Sequence, residues 1–244
     1  MHSGMFGSEH AALRRVTRMR PGLFRRTANL TESHKAALHS SLIETERNER
    51  YSGFTMSAPE QSTTRRVAVY CGSASGTDSA FLAEALALGT AIAGAGFGMV
   101  YGGASVGLMG AVADAALAGG AEVIGVLPEV LSGSEIAHSG LTRLEVVMTM
   151  HARKARMVHL ADAFLILPGG YGTLDELMEI VMWKQLRLHA KPCILINTAG
   201  YWDGLLGFLD TTVTAGFLKA ENRKLLEVAK DSDEAVGRVV KGGP

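Results

Sequence analysis

Residues 163–176 read AFLILPGGYGTLDE: five apolar residues, a proline, three glycines within four positions, then Thr-Leu-Asp-Glu. A short unbroken apolar run is the pattern of a strand buried on both faces. Pro168 lacks an amide hydrogen and stops it. From about 173 to 188 the apolar residues return at helical spacing. The segment therefore reads as strand, glycine turn, helix, which is the repeating unit of a parallel sheet with crossover helices.

The unit recurs on either side. Apolar runs at 67–71, 97–101, 122–127, 144–148, 193–197 and 225–229 predict strands. Helices are predicted at 79–95, 106–118, 150–160, 202–214 and after Asp231. Right-handed crossovers turn this alternation into a Rossmann-like, doubly wound α/β fold, a parallel sheet flanked by helices. Ligands of such folds lie beyond the carboxyl ends of the strands. Three glycine-bearing loops, at 71–76, 101–110 and 168–173, should then converge on one rim. Ser73 and Gly103 join the third loop there as candidate ligand contacts.

The 24 basic and 24 acidic residues of the 244 cancel, but unevenly along the chain. Residues 1–66 carry a net +5 and residues 67–244 a net −5, and 25 of the 29 glycines lie in the second part. The division predicts a basic, disordered extension at 1–65 and one Rossmann-like catalytic domain at 66–244. Met56 begins a stretch that would itself serve as a start, so residues 1–55 read as an extension or a misplaced start. Loosely spaced apolar residues allow a short helix at 34–50. The overall neutrality argues against a nucleic-acid partner. No apolar run reaches the length of a membrane span. Two cysteines, Cys71 and Cys193, cannot build a disulfide framework, which points to the cytoplasm.

Three constellations carry chemistry. In the loop 168–173, Gly169, Gly170 and Gly172 are free to take positive φ and to let an anion approach the backbone. Thr173 stands where the helix begins, with a hydroxyl to offer. Amides at a helix start bind anions, so a phosphate is the natural guest. The loop is not a Walker A motif, since the chain has no Gly-Lys pair, and no G-x-G-x-x-G follows the first strand. A mononucleotide or sugar phosphate is expected, without nicotinamide. In MHARKARM, 150–157, Arg153 shares a helix face with Met150 and Met157. Finally, Glu176 and Glu179 lie three apart and point the same way from one helix, whereas Asp175 reads as dipole compensation. The histidines form no HExxH, and no G-x-S-x-G occurs, so neither a metal site nor a serine hydrolase is expected. His189 reads as a cation at a helix end.

MHARK at 150–154 with PGGYGTLDE at 168–176 resembles the paired signature of the LOG (lonely guy) proteins. CGSASG, YGGASVGLMG, EIAHSGL and WKQLRLHAKP follow the same family order, and the resemblance spans about 66–240. These are cytokinin riboside 5'-monophosphate phosphoribohydrolases, often mislabelled lysine decarboxylases; no pyridoxal phosphate motif is visible. The resemblance implies cleavage of a nucleoside 5'-monophosphate to base and ribose 5-phosphate, without cofactor or metal, by a homodimer or higher homo-oligomer. Its catalytic pair maps onto Arg153 and Glu176. Its substrate contacts map onto Gly170, Gly172 and Thr173, with Gly169, Tyr171, Met150, Lys154 and Glu179 beside them. A broader nucleotide nucleosidase, or a non-catalytic nucleotide or molybdenum-cofactor carrier of the same fold, is the alternative. Five positions depart from the family: Ala104 and Arg187 replace glycines, Met182 a threonine, Ala74 a serine and Asp175 a glutamate. Positive φ at Ala104 would be strained. Trp183 and the apolar residues of helix 173–188 are candidate interface material.

Overall fold

Along β1 (Arg66–Tyr70), Val67 and Val69 turn to one side and Ala68 and Tyr70 to the other, and all four are buried. That alternation in an all-apolar strand demands cover on both faces. The computed structural model describes residues 64–132 and 137–242, and it supplies that cover. The extension at 1–65 and the helix expected at 34–50 fall outside these residues, Thr64 and Arg65 excepted.

The other strands are β2 (Gly98–Tyr101), β3 (Val123–Pro128), β4 (Arg143–Val147), β5 (Ala163–Ile166), β6 (Cys193–Ile196) and β7 (Glu227–Ala229). They form one parallel sheet in the order β4-β3-β2-β1-β5-β6-β7. Helices α1 (Ser79–Gly94), α2 (Gly107–Ala118) and α8 (Ser232–Lys241) pack on the face of Val67 and Val69. Helices α4 (Met150–Leu160), α5 (Tyr171–Gln185) and α6 (Asp203–Thr214) pack on the face of Ala68 and Tyr70. Short helices α3 (Glu129–Ser132) and α7 (Ala220–Arg223) complete the chain order and were not foreseen. The doubly wound expectation is met.

Strand order reverses between β1 and β5, so the chain leaves these neighbours in opposite directions and opens a crevice at their carboxyl ends. The first and third glycine loops flank that crevice. The Gly72 amide donates to the Pro168 carbonyl (3.0 Å), and the Met109 amide to the Gly72 carbonyl (3.3 Å). All three loops therefore meet.

β4 is one of the two edge strands, which explains its different pattern. Leu144 and Val146 stay exposed while Glu145 turns inward to the Arg156 guanidinium on α4 (2.6 and 3.0 Å). Trp183 is not the exposed element of α5, since it packs on the core; the outward apolar residues are Met178, Met182 and, just past the helix, Leu186. His189 also departs from expectation. Its Nε2 donates to the Ile180 carbonyl (2.9 Å) and its Nδ1 accepts from the Lys191 amide (3.2 Å). Both ring nitrogens are thus satisfied by a neutral ring, and burial pushes its pKa down, so it is no helix-end cation.

Candidate active site

Thr149 starts α4: its hydroxyl accepts from the Ala152 amide (3.1 Å) and caps the first turn. One turn later, Arg153 points inward instead of to solvent. Its Nε donates to the Val126 carbonyl at the end of β3 (3.1 Å), and its Nη1 lies 3.9 Å from Met150 Sδ. The guanidinium passes over Gly102, where an added Cβ would overlap Nη2. Glycine at 102 thus leaves the guanidinium room to lie where it does. Met157 does not share the site; it is fully buried in the core below.

Glu176, on the second turn of α5, meets Arg153 Nη2 at 2.9 Å, and both side chains are buried. The contact is short, yet Glu176 Oε1 has no hydrogen-bond partner among the described residues. The guanidinium counters the carboxylate charge without the alignment of a hydrogen bond. Burial raises the Glu176 pKa to about 7, against the opposing pull of Arg153. Behind it, Tyr70 and Cys71 are held neutral, their pKa values raised first by burial and then by the Glu176 charge.

Lys154, one residue on, turns the other way. Its ammonium lies 3.0 and 3.2 Å from the Asp175 carboxylate and 3.2 Å from Glu179. Burial works against its charge, but the two carboxylates prevail and hold its pKa above the usual lysine value. Lys154 and Glu179 thus spend their charges on each other across α4 and α5, and Asp175 has a partner beyond the helix dipole.

The third loop holds a different logic from the expected positive φ. Gly169, Gly170 and Gly172 are absent from the left-handed residues among those described. Gly169 is needed for space: a Cβ would overlap Thr173 Oγ1 and lie 2.8 Å from the Gly72 amide nitrogen. Thr173 is no cap. The helix begins at Tyr171 after Gly170, and the Thr173 side chain is buried beneath Gly169. Around Gly170 and Gly172 nothing lies within 4 Å of a Cβ position, and Tyr171 is 93% exposed. The first amides of α5 cannot find partners inside the helix and stand open on this side.

In the other loops, Ser73 is exposed, with its backbone pressed against Gly107. Gly103 (φ 79) is buried against Gly125 and Leu144, and its carbonyl accepts from the His138 amide (2.9 Å). It shapes the loop from inside. Two contributors escaped sequence reading. One is the Val126 carbonyl that aims Arg153. The other is Tyr201, whose hydroxyl donates to the Gly169 carbonyl (2.7 Å). Its signal was its position, since it follows β6 and so stands on the same rim. Among the described residues no group of three or more His, Cys, Asp or Glu stands where it could hold a metal.

A family model described as "Possible lysine decarboxylase" matches residues 109–239. The rice (Oryza sativa subsp. japonica) protein named cytokinin riboside 5'-monophosphate phosphoribohydrolase LOG is 44% identical over 172 residues, 70% of this chain and 71% of that one. A Rhodococcoides fascians protein of the same enzymatic name is 43% identical over 186 residues, 76% of this chain and 94% of that one. The chain belongs to the LOG family. Among solved structures, the molybdenum cofactor carrier protein of Chlamydomonas reinhardtii matches with a TM-score of 0.57 and 26% identity, covering 73% of this chain and 97% of that one.

The departures from the LOG pattern now have physical readings. Ala104 is not left-handed; it makes an isolated bridge to Ala137, so the expected strain is absent. Arg187 is left-handed, with φ 61. It follows α5 in a Schellman turn, its amide on the Lys184 carbonyl (3.0 Å) and the Leu188 amide on the Trp183 carbonyl (2.9 Å). This is the position where LOG proteins commonly carry glycine. Arg187→Gly should raise the unfolding free energy by about 1 kcal/mol and the melting temperature by roughly 2–4 °C, measured by thermal denaturation.

Proposed function

We propose that this chain hydrolyses the N-glycosidic bond of adenosine 5'-monophosphate or an N6-modified relative, releasing the base and ribose 5-phosphate. One observation carries it: a buried Arg153–Glu176 ion pair beside an uncovered glycine loop at a helix start. The rice and Rhodococcoides relatives bear the name of this reaction.

The amides of 170–172 hold the 5'-phosphate, helped by the positive end of α5. Cleavage leaves positive charge at the ribose C1', which the Glu176 carboxylate stabilises. Glu176 also takes a proton from the attacking water. The water oxygen bonds to C1' as the bond to the base nitrogen breaks; the base nitrogen takes a proton from solvent, and Glu176 returns its own proton to solvent. A carboxylate whose pKa lies at about 7 is matched to that transfer near neutral pH. Arg153 holds Glu176 in place and offers charge-assisted hydrogen bonds to the substrate. Water is the one co-reactant, so the scheme needs neither cofactor nor metal. Residues 66–244 serve as the catalytic domain, and residues 1–65 as an extension outside it.

The same reading takes the enzyme as a cytoplasmic homodimer. The free, buried Cys71 and Cys193 support a reducing compartment. Exposed Met178, Met182, Leu186 and Leu188 support a self-association face along α5 and its end. A net −5 over 67–244 supports a small nucleotide in preference to nucleic acid.

The test is product chromatography. Incubation with AMP should release adenine, and adenosine should be turned over at least about 100-fold less efficiently, because the remote phosphate supplies the binding energy that positions the sugar. Equal turnover of adenosine and AMP would refute the phosphate anchor. AMP bound but uncleaved would favour a carrier, the reading suggested by the Chlamydomonas neighbour. A panel of purine, pyrimidine and N6-prenylated monophosphates separates a cytokinin enzyme from a general nucleosidase.

A further inference from the structure

The loop at 168–172 contains a peptide flanked by glycine on both sides, Gly169–Gly170. No Cβ resists rotation of that peptide plane. A trans peptide carries its C=O and the following N–H on opposite sides. Whatever holds the Gly169 carbonyl therefore also aims the Gly170 amide.

Tyr201 holds it. Its hydroxyl donates to the Gly169 carbonyl at 2.7 Å from a different segment of the chain. The ring is fixed edge-to-face between Phe81 (5.5 Å, 78°) and Trp202 (4.8 Å, 85°). Phe81 in turn fills the space over Gly76, where a Cβ would meet its ring at 2.7 Å, so the same stack also braces the first loop. Trp202 is buried, and its amide donates to Asn197 Oδ1 (2.8 Å). An independent sign is backbone strain. The turn that delivers Tyr201, Thr198–Gly200, carries two left-handed residues, Ala199 (φ 52) and Gly200 (φ 71). A non-glycine held there costs free energy, and such costs are retained where they aim a functional group.

We propose that Tyr201 is a positioning residue: its hydroxyl locks the Gly169–Gly170 peptide in the one orientation that turns the Gly170 amide, on the side opposite Tyr201, toward the substrate's 5'-phosphate. The proposal rests on reading the loop as a phosphate site. Tyr201 touches no reacting atom and acts through the loop alone. Without it the Gly169 carbonyl exchanges its protein donor for water, and the peptide populates the flipped state.

The test uses Tyr201→Phe in the full chain, which keeps the ring stack and removes one oxygen. Calorimetric titration with ribose 5-phosphate should show the Kd about tenfold weaker than in the wild type. In steady-state assays, the rise should fall on KM for AMP, with the ratio of kcat/KM for AMP to that for adenosine dropping about tenfold. A merely structural loss would lower both substrates together and leave the ratio intact, which would overturn the proposal. So would a variant that binds ribose 5-phosphate as tightly as the wild type. A wild type that binds neither ribose 5-phosphate nor AMP removes the phosphate loop itself, and the proposal with it. Ala199→Gly, which relaxes the turn but keeps the hydroxyl, should retain the wild-type ratio; a drop as large as that of Tyr201→Phe would assign the effect to the turn and overturn the role of the hydroxyl.

Discussion

Glu176→Gln should lower kcat for AMP by about two or more orders of magnitude, the usual worth of a positioned general base. The side chain is nearly isosteric, so the loss reads out chemistry more than packing. The wild type should show an acid limb in kcat/KM with an apparent pKa near 7, because Glu176 must be ionised to act and its pKa stands at about 7. The variant should lack that limb. Linkage gives a second readout. Between the ordinary carboxylate value and 7, the folded state binds the Glu176 proton more tightly than the unfolded state does. Stability from this group is therefore fully present below about 4.5 and is lost as pH rises through 7. Denaturant melts of wild type and variant should diverge across that window by on the order of 3 kcal/mol and run parallel outside it. Full activity in the variant, or an acid limb that survives the substitution, would remove Glu176 from the mechanism.

Gly169→Ala is expected to be nearly as damaging, through geometry instead of charge. The new methyl has no free direction: Thr173 Oγ1 and Cβ lie on one side and the Gly72 amide nitrogen on the other. The loops must part, breaking the Gly72–Pro168 hydrogen bond. Overpacking of this kind costs about 1–3 kcal/mol, and a displacement near 1 Å costs on the order of 10² in kcat/KM. Gly170→Ala is the internal comparison, since open space surrounds that position. It should leave stability within about 0.5 kcal/mol of wild type. Equal damage from both would contradict the spatial account.

The contrast between these two glycines also measures what could be read in the chain alone. The strand AFLIL, the turn and the helix were legible because apolar periodicity reports burial directly. The convergence of three loops followed from parallel topology. What was not legible was why each glycine is there. Positive φ was expected at 169, 170 and 172, but the structure puts that demand at Gly103 and Gly107 in the second loop and asks only for room at Gly169. Composition cannot separate the two needs. Nor could spacing show that Arg153 and Glu176 touch, because they lie on different helices. Lys154 was placed beside the substrate by resemblance alone; adjacency on a helix turns it about 100° from Arg153, and its ion pairs with Asp175 and Glu179 were not legible. His189 and Thr173 misled for a related reason, since both satisfy local backbone or packing needs that no linear pattern displays.

Arg153 and Glu176 sit on the helices immediately before and after β5, joined to it by residues 161–162 and 167–170. Their separation is thus set by one short strand, pinned between β1 and β6 and buried on both faces. The reactive pair is inherited as a single contiguous block, 149–185, whereas the other two loops of the rim come from β1 and β2. Mutation of the rim away from Gly102 and Val126, which touch Arg153, can therefore reshape what it admits while leaving the reactive pair in place, and exchanging the block between relatives that keep these two contacts should carry the bond-breaking step while leaving base preference with the recipient. A family built this way can diversify its substrates at low risk to its reaction.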